Sequence, residues 1–94
     1  MTRERVLDVS ELPPPEPLEQ ALSAVESLCP GEYLRMLHRR EPWLLFPELD
    51  TRGFRYHMQP GTRSAFDIFI WRDGDTEAEG AVARIIAEPD DGSA

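Results

Sequence analysis

The chain has 94 residues, 40% of them hydrophobic and 30% charged, which suits one domain with one modest core and is too apolar for general disorder. No apolar run reaches the length that crosses a bilayer, and the start "MTRERVLDV" lacks the uninterrupted apolar segment of a secretory leader, so a cytoplasmic protein without membrane contact is expected. The net charge of −8 is uneven: seven acids against Arg84 alone from Asp73 onward leave −6, while eleven acids against nine arginines before it leave −2. A nearly balanced body with an acidic tail is ill suited to a phosphate backbone, so nucleic acid is not an expected partner.

"RVLDV" (Arg5 to Val9) is short, β-branched and bounded by polar residues, the pattern of a first strand. Beyond "ELPPPEP", apolar residues at Leu18, Ala21, Leu22, Val25, Leu28 and Cys29 fall on one face of a helix. Glu16 and Glu19 suit its first turn and Pro17 an early helical position. "CPGE" ends that helix, because Pro30 cannot continue it and Gly31 permits a left-handed turn.

"EYLRMLH" (Glu32 to His38) reads as a second strand, with Leu34 and Met36 on one face and Tyr33, Arg35 and Leu37 on the other. A shorter helix follows, ending at Gly53. Its start is expected near Trp43 or Leu44, because Pro47 is tolerated only within a first turn. "FRYHM" alternates as a third strand, "QPGTRS" is a turn by composition, and "AFDIFIWR" makes a fourth strand.

The order strand, helix, strand, helix, strand, strand predicts an α+β fold. The expected form is a two-layer βαβαββ sandwich over residues 5–72, a four-stranded mixed sheet with two helices on one face. The other face would present Tyr33, Arg35, Leu37, Arg55, His57, Phe69 and Trp71. Residues 73–94 form an acidic extension. Within it, Ala78, Ala81, Val82, Ile85 and Ile86 have helical spacing. An extra C-terminal helix covering part of that face is one reading, and a mobile tail is the other.

"LDVSELPPPEPL", Leu7 to Leu18, resembles the signature of the TusA-like (SirA-like) sulfur-carrier family. There a strand ending Leu-Asp leads through a Leu to Cys-Pro-x-Pro at the start of the first helix. Leu7-Asp8, Leu12 and Pro15-Glu16-Pro17 fall on matching positions, and the resemblance implies the same βαβαββ domain. Pro14, however, stands where that family carries its sulfur-accepting cysteine, and persulfide transfer needs a thiolate. The chain is therefore similar to the cysteine-less, uncharacterised branch of TusA-related domains, which share a "Pro-Gly-Glu" turn as at Pro30 to Glu32 and an "Arg-Glu-Pro" turn as at Arg40 to Pro42. That resemblance implies a redox-related context and hemerythrin-like partners.

The residues themselves offer little catalytic chemistry. Cys29, the single cysteine, ends an apolar stripe and is expected to be a buried, inert thiol. His38 and His57 lack the companions of a metal site, and no Gly-rich phosphate loop or Ser-His-Asp arrangement can be assembled. No enzyme activity, cofactor or metal is expected. The leading expectation is a non-enzymatic module that docks another protein through the proline edge at Pro14, Pro15, Glu16 and Pro17. The uncovered sheet face of Tyr33, Arg35, Arg55, His57, Phe69 and Trp71 is the other docking surface and the stronger of the candidate sites, since Tyr, Trp and Arg dominate interfaces. A homodimer with Trp71 at its contact is an alternative partner. The alternative function is a sulfur-trafficking or redox accessory acting through partner docking or Cys29; a small-ligand or metal-binding domain using His38 and His57 is a third.

Overall fold

A computed structural model describes residues 3–87; the end of the acidic extension, 88–94, lies outside the described residues. The elements are β1 (Arg3–Asp8), α1 (Glu16–Glu26), β2 (Glu32–His38), α2 (Leu45–Arg52), β3 (Phe54–Pro60), β4 (Phe66–Arg72) and α3 (Thr76–Ala87). Four strands form one sheet in the order β1-β2-β4-β3. β1 pairs parallel with β2, placing Leu7 opposite Met36, while β4 runs antiparallel to both neighbours, with Ile68 flanked by Met36 and Met58. β1, β2 and β3 therefore point the same way. α1 and α2 serve as crossovers between parallel strands, as such connections require.

The alternation of each strand sorts its side chains. Leu34, Met36, Phe54, Ile68 and Ile70 face α1 and α2 and pack with Ala21, Val25, Leu45 and Leu49 in the main core. Burial of this apolar surface is the chief force holding the two layers together. α2 starts at Leu45, with Leu44 as its flanking residue. Pro47 thus falls in the first turn, where its missing N–H costs no helical bond. Gly53, at φ 84°, ends that helix in a left-handed conformation that a residue with a Cβ adopts at a cost.

α1 carries no basic residue in its last turn, so its terminal carbonyls need an outside partner. Arg72 of β4 supplies it, donating from one guanidinium nitrogen to the carbonyls of Glu26 (3.2 Å) and Leu28 (3.3 Å). The same guanidinium lies 5.1 Å from the Phe54 ring centroid, a cation–π distance. Arg52 pairs with Glu26 across the two helices.

The second face of the sheet is partly covered, and the helical reading of 76–87 holds. α3 seats Ala78 and Val82 on Tyr33, Phe69 and Trp71 in a second, smaller core. Small residues let the helix approach closely. Asp75 fixes its start: one carboxylate oxygen accepts the N–H of Ala78 (3.1 Å), and the other accepts that of Gly31 (2.8 Å) at the head of β2. These backbone donors hold the Asp75 carboxyl below its ordinary range.

Candidate functional site

β1 and β2 end at the same edge of the sheet, and α1 and α2 both begin there. The path into α1 is set by Asp8. Its Oδ1 accepts from the N–H (3.0 Å) and hydroxyl (2.6 Å) of Ser10, a local turn that competes with strand continuation and lowers the Asp8 carboxyl from its usual value. Leu12 N–H then bonds the Val9 carbonyl at 3.1 Å, and the prolines carry the chain into the helix.

A helix N-terminus ordinarily offers several N–H groups to an anion or a thiolate. Here Pro17 has none, and those of Glu16 and Glu19 are taken by the carbonyls of Pro13 (3.0 Å) and Pro15 (3.2 Å). Pro15, the flanking residue, makes no side-chain cap, and Glu16 and Glu19 already lie in the first turn. The proline edge is thus poor in donors and rich in apolar rings.

Those rings form one wall of a groove of about 330 Å³. Leu12, Pro14, Pro15, Pro17 and Leu18 line it from the segment that enters α1, and Pro42, Trp43, Leu44 and Leu45 from the turn that enters α2. Trp43 is 62% exposed and Leu44 78%, values that set this turn apart in a chain with few large apolar residues in solvent. Trp43 meets Phe46 edge-on at 5.7 Å, and Phe46 stacks on Tyr56 at 4.6 Å. An aromatic row therefore supports Trp43 from behind.

The polar members of the groove are His38, Arg39, Arg40 and Glu41. His38 is buried, and its Nδ1 accepts the N–H of Arg39 at 2.9 Å and of Arg40 at 3.4 Å. Burial, aided by the adjoining Arg40 and Arg39 charges, pushes its pKa below the ordinary histidine value. A neutral ring accepting at Nδ1 carries its proton on Nε2.

Of the residues expected to bind a partner, Pro14, Pro15 and Pro17 line this groove, and Glu16 is exposed beside it. The sheet-face group does not form a comparable surface. Tyr33, Phe69 and Trp71 are at most 6% exposed, beneath α3, which corrects the picture of an open aromatic face and removes Trp71 as a dimer contact. Burial and a hydrogen bond donated to Glu4 (2.8 Å) push the Tyr33 hydroxyl up to about 12. Arg35 is half-buried, bonded to Asp67 at 2.8 Å and stacked over Phe69 at 5.1 Å. Arg55 is exposed and pairs with Asp73 at 3.7 Å, while His57 is half-buried on the same strand.

Cys29 also departs from expectation. It is exposed, because α1 stops at Glu26 and the apolar spacing runs on into a turn that is no longer helical. It lies at the far end of α1 from the prolines, a helix of 11 residues or about 16 Å away. The Pro-Gly-Glu segment beside it is structural: Gly31 has φ 84°, and Glu32 accepts the Cys29 N–H at 2.9 Å while facing Arg3 and Arg5. His38 shares the main-core face of β2 with Leu34 and Met36, whereas His57 lies with Arg55 on the opposite face of the sheet, so strand alternation keeps the two apart. Among the described residues no group of three or more His, Cys, Asp or Glu could hold a metal ion. No helix among them is long and apolar enough to cross a membrane.

Trp43, Leu44 and His38 were not singled out by the sequence as one site. The available signal was "REPWLLFP", in which four large apolar residues follow a proline turn and precede a proline of the next helix, too many for one helix face to bury. The molecule is thus a mixed-sheet α+β domain whose helix starts frame an apolar groove with a basic rim. The chain belongs to a family of uncharacterized conserved proteins, DUF2249, whose model matches residues 6–72. No curated protein and no solved structure matches the chain. The match spans both walls of the groove and stops before α3.

Proposed function

We propose that the protein is a non-enzymatic docking module that binds a segment of another protein in the groove between the proline edge and the Trp43 turn. The observation that carries this reading is the pairing of a preformed apolar groove with two large exposed apolar residues on its lip, a combination that marks interaction surfaces on small domains. The resemblance of "LDVSELPPPEPL" to TusA-like sulfur carriers adds a rationale: the place of the carrier's reactive cysteine is kept as a partner-facing edge, with Pro14 in place of the thiol. The reading extends to a cytoplasmic role with a redox-related partner, of which a hemerythrin-like protein is the first to test.

The test uses Trp43 itself. In a Trp71→Phe variant Trp43 is the remaining tryptophan, and titration with a purified hemerythrin-like partner should shift its emission to the blue. Trp43→Ala, made in the otherwise unaltered chain, should abolish binding by calorimetry. Binding that survives Trp43→Ala and Leu44→Ala together would place the interface elsewhere and end this reading.

The exposure of Cys29 favours one second reading, a sulfur-trafficking accessory. Its thiolate would attack the outer sulfur of a donor persulfide and release the donor as a thiolate. Intact mass after incubation with a persulfide donor should then rise by one sulfur atom, and Cys29→Ser should remove the adduct. An unchanged mass eliminates it.

A further inference from the structure

The charge and hydrogen-bonding character of the groove says which segment fits it, an inference that rests on the docking reading above. The chain carries a net charge of −8, and most of its arginines are matched within the fold. Arg3 and Arg5 face Glu32, Arg35 faces Asp67 and Glu4, Arg52 faces Glu26 and Glu48, and Arg55 faces Asp73. Arg72 is engaged by backbone carbonyls. Arg39 and Arg40 are exposed on the groove rim, and among the described residues neither has an ion pair. Glu41 is the one acid among the lining residues, with Glu16 exposed beside the groove on the proline side, so the positive part of the rim is the Arg39–Arg40 corner, with His38 neutral.

The donors and acceptors are equally one-sided. His38 spends its acceptor, Nδ1, on the N–H groups of Arg39 and Arg40. Its Nε2–H has no partner among the described residues and belongs to a ring that lines the groove. Guanidinium groups donate and do not accept. The prolines opposite have no N–H to donate, and the Pro15 carbonyl already accepts the Glu19 N–H, so their main contribution is apolar rings. An occupant must therefore bring apolar bulk for the walls and acceptors, best charged ones, for the rim.

We infer that the groove takes a short peptide segment of a partner protein in which one bulky apolar side chain is flanked by aspartate or glutamate. The apolar side chain inserts between the prolines and Trp43, and the carboxylates meet Arg39 and Arg40. Arginine suits this role because its planar fork matches a carboxylate. The exposed position of both arginines makes their contribution modest and sensitive to salt.

The test is a selection from short random-sequence peptides displayed on phage, against the full chain, with Trp43→Ala and Arg39→Gln/Arg40→Gln variants alongside. All three substitutions are at exposed positions, and circular dichroism checks that each variant folds. The expected selection is enriched in acidic residues beside a bulky apolar one. Synthetic versions of selected peptides should bind about fivefold tighter than their Asn/Gln counterparts at low salt, a gap that closes with added salt. The arginine variant should lose that gap while keeping the residual apolar binding, and Trp43→Ala should lose both. Selection of apolar peptides without acidic bias overturns the charge inference and leaves the docking reading standing. No selection above the Trp43→Ala background overturns both. A concentration-dependent dimer abolished by Trp43→Ala overturns the inference in favour of a second copy of the chain.

Discussion

The two ends of the sheet are built on opposite plans. At the end where β2 begins, a set of polar ties crosses between elements: Glu32 holds the Cys29 N–H, Asp75 holds Gly31 and Ala78, Arg72 holds the carbonyls of Glu26 and Leu28, and Arg5 reaches Ser27. At the end where β2 stops, helix donors are deleted by prolines, Arg39 and Arg40 are unpaired among the described residues, and Trp43 and Leu44 stand in solvent. Satisfied groups stabilise a fold, whereas exposed apolar bulk beside unmatched charge contributes little to it. The difference separates an end that maintains structure from an end available for binding. It also divides the motifs: Pro-Gly-Glu belongs to the first end, and the prolines and Arg-Glu-Pro to the second.

Substitutions at the first end should therefore cost stability, and the largest cost attaches to α3. Ending the chain at Arg72 strips Ala78 and Val82 from Tyr33, Phe69 and Trp71, and should cost on the order of 3 kcal/mol. Urea unfolding measures the loss, and a red shift of Trp71 emission reports the uncovered face. Equal stability of the shortened chain would show that α3 contributes nothing to this end. Arg72→Ala leaves the last α1 carbonyl, Glu26, and that of Leu28 in the following turn without their donor and removes the cation on Phe54, for about 2 kcal/mol. In a domain of this size that lowers the melting midpoint by roughly 10 °C.

Asp75→Asn is expected to cost about 1 kcal/mol as a weakened helix cap and tie, and its signature is in the pH dependence. The Asp75 pKa is lower folded than unfolded. Its contribution is thus complete above the unfolded value, near 3.8, and disappears as pH falls through the folded one. The acid limb of the stability profile should flatten in the Asn variant. A smaller slope should come from His38 at the other end. Its folded pKa is depressed below 6.5, so stability is full above pH 6.5 and declines below it, as the unfolded chain takes the proton first. His38→Gln should remove that decline, and a slope unchanged in that variant would reject the assignment.

Periodicity carried the fold: the stripe from Leu18 to Val25 and the alternation of Phe54, Tyr56 and Met58 are local patterns that burial enforces. The same stripe misled at Cys29, because apolar spacing cannot report where a helix stops, and the chain turns there with the N–H groups of Ser27 and Leu28 on the carbonyls of Ala24 and Val25. The face of Tyr33, Phe69 and Trp71 could be assembled from alternation, but whether α3 settled on it depended on long-range ties such as Asp75 to Gly31. One wall of the groove, the prolines, was visible as a motif. The other wall was hidden, since Trp43 and Leu44 acquire meaning when two helix starts 29 positions apart in the chain are brought to one edge of the sheet.

The smallest expected effect on stability is the sharpest test of the two plans. Trp43→Ala and Leu44→Ala remove large side chains that are already mostly in water, so little transfer free energy is lost. Trp43 forfeits its edge contact with Phe46, while the Phe46–Tyr56 stack behind it is untouched. The double variant should stay within about 0.5 kcal/mol of the parent in the same urea titration that exposes Arg72→Ala, while losing partner binding. If it instead unfolds as readily as Arg72→Ala, the Trp43 turn is part of the scaffold and the groove is a packing feature. If it keeps both stability and binding, the exposed aromatic has no docking role. Loss of binding at unchanged stability is the one outcome that assigns the two ends to different tasks.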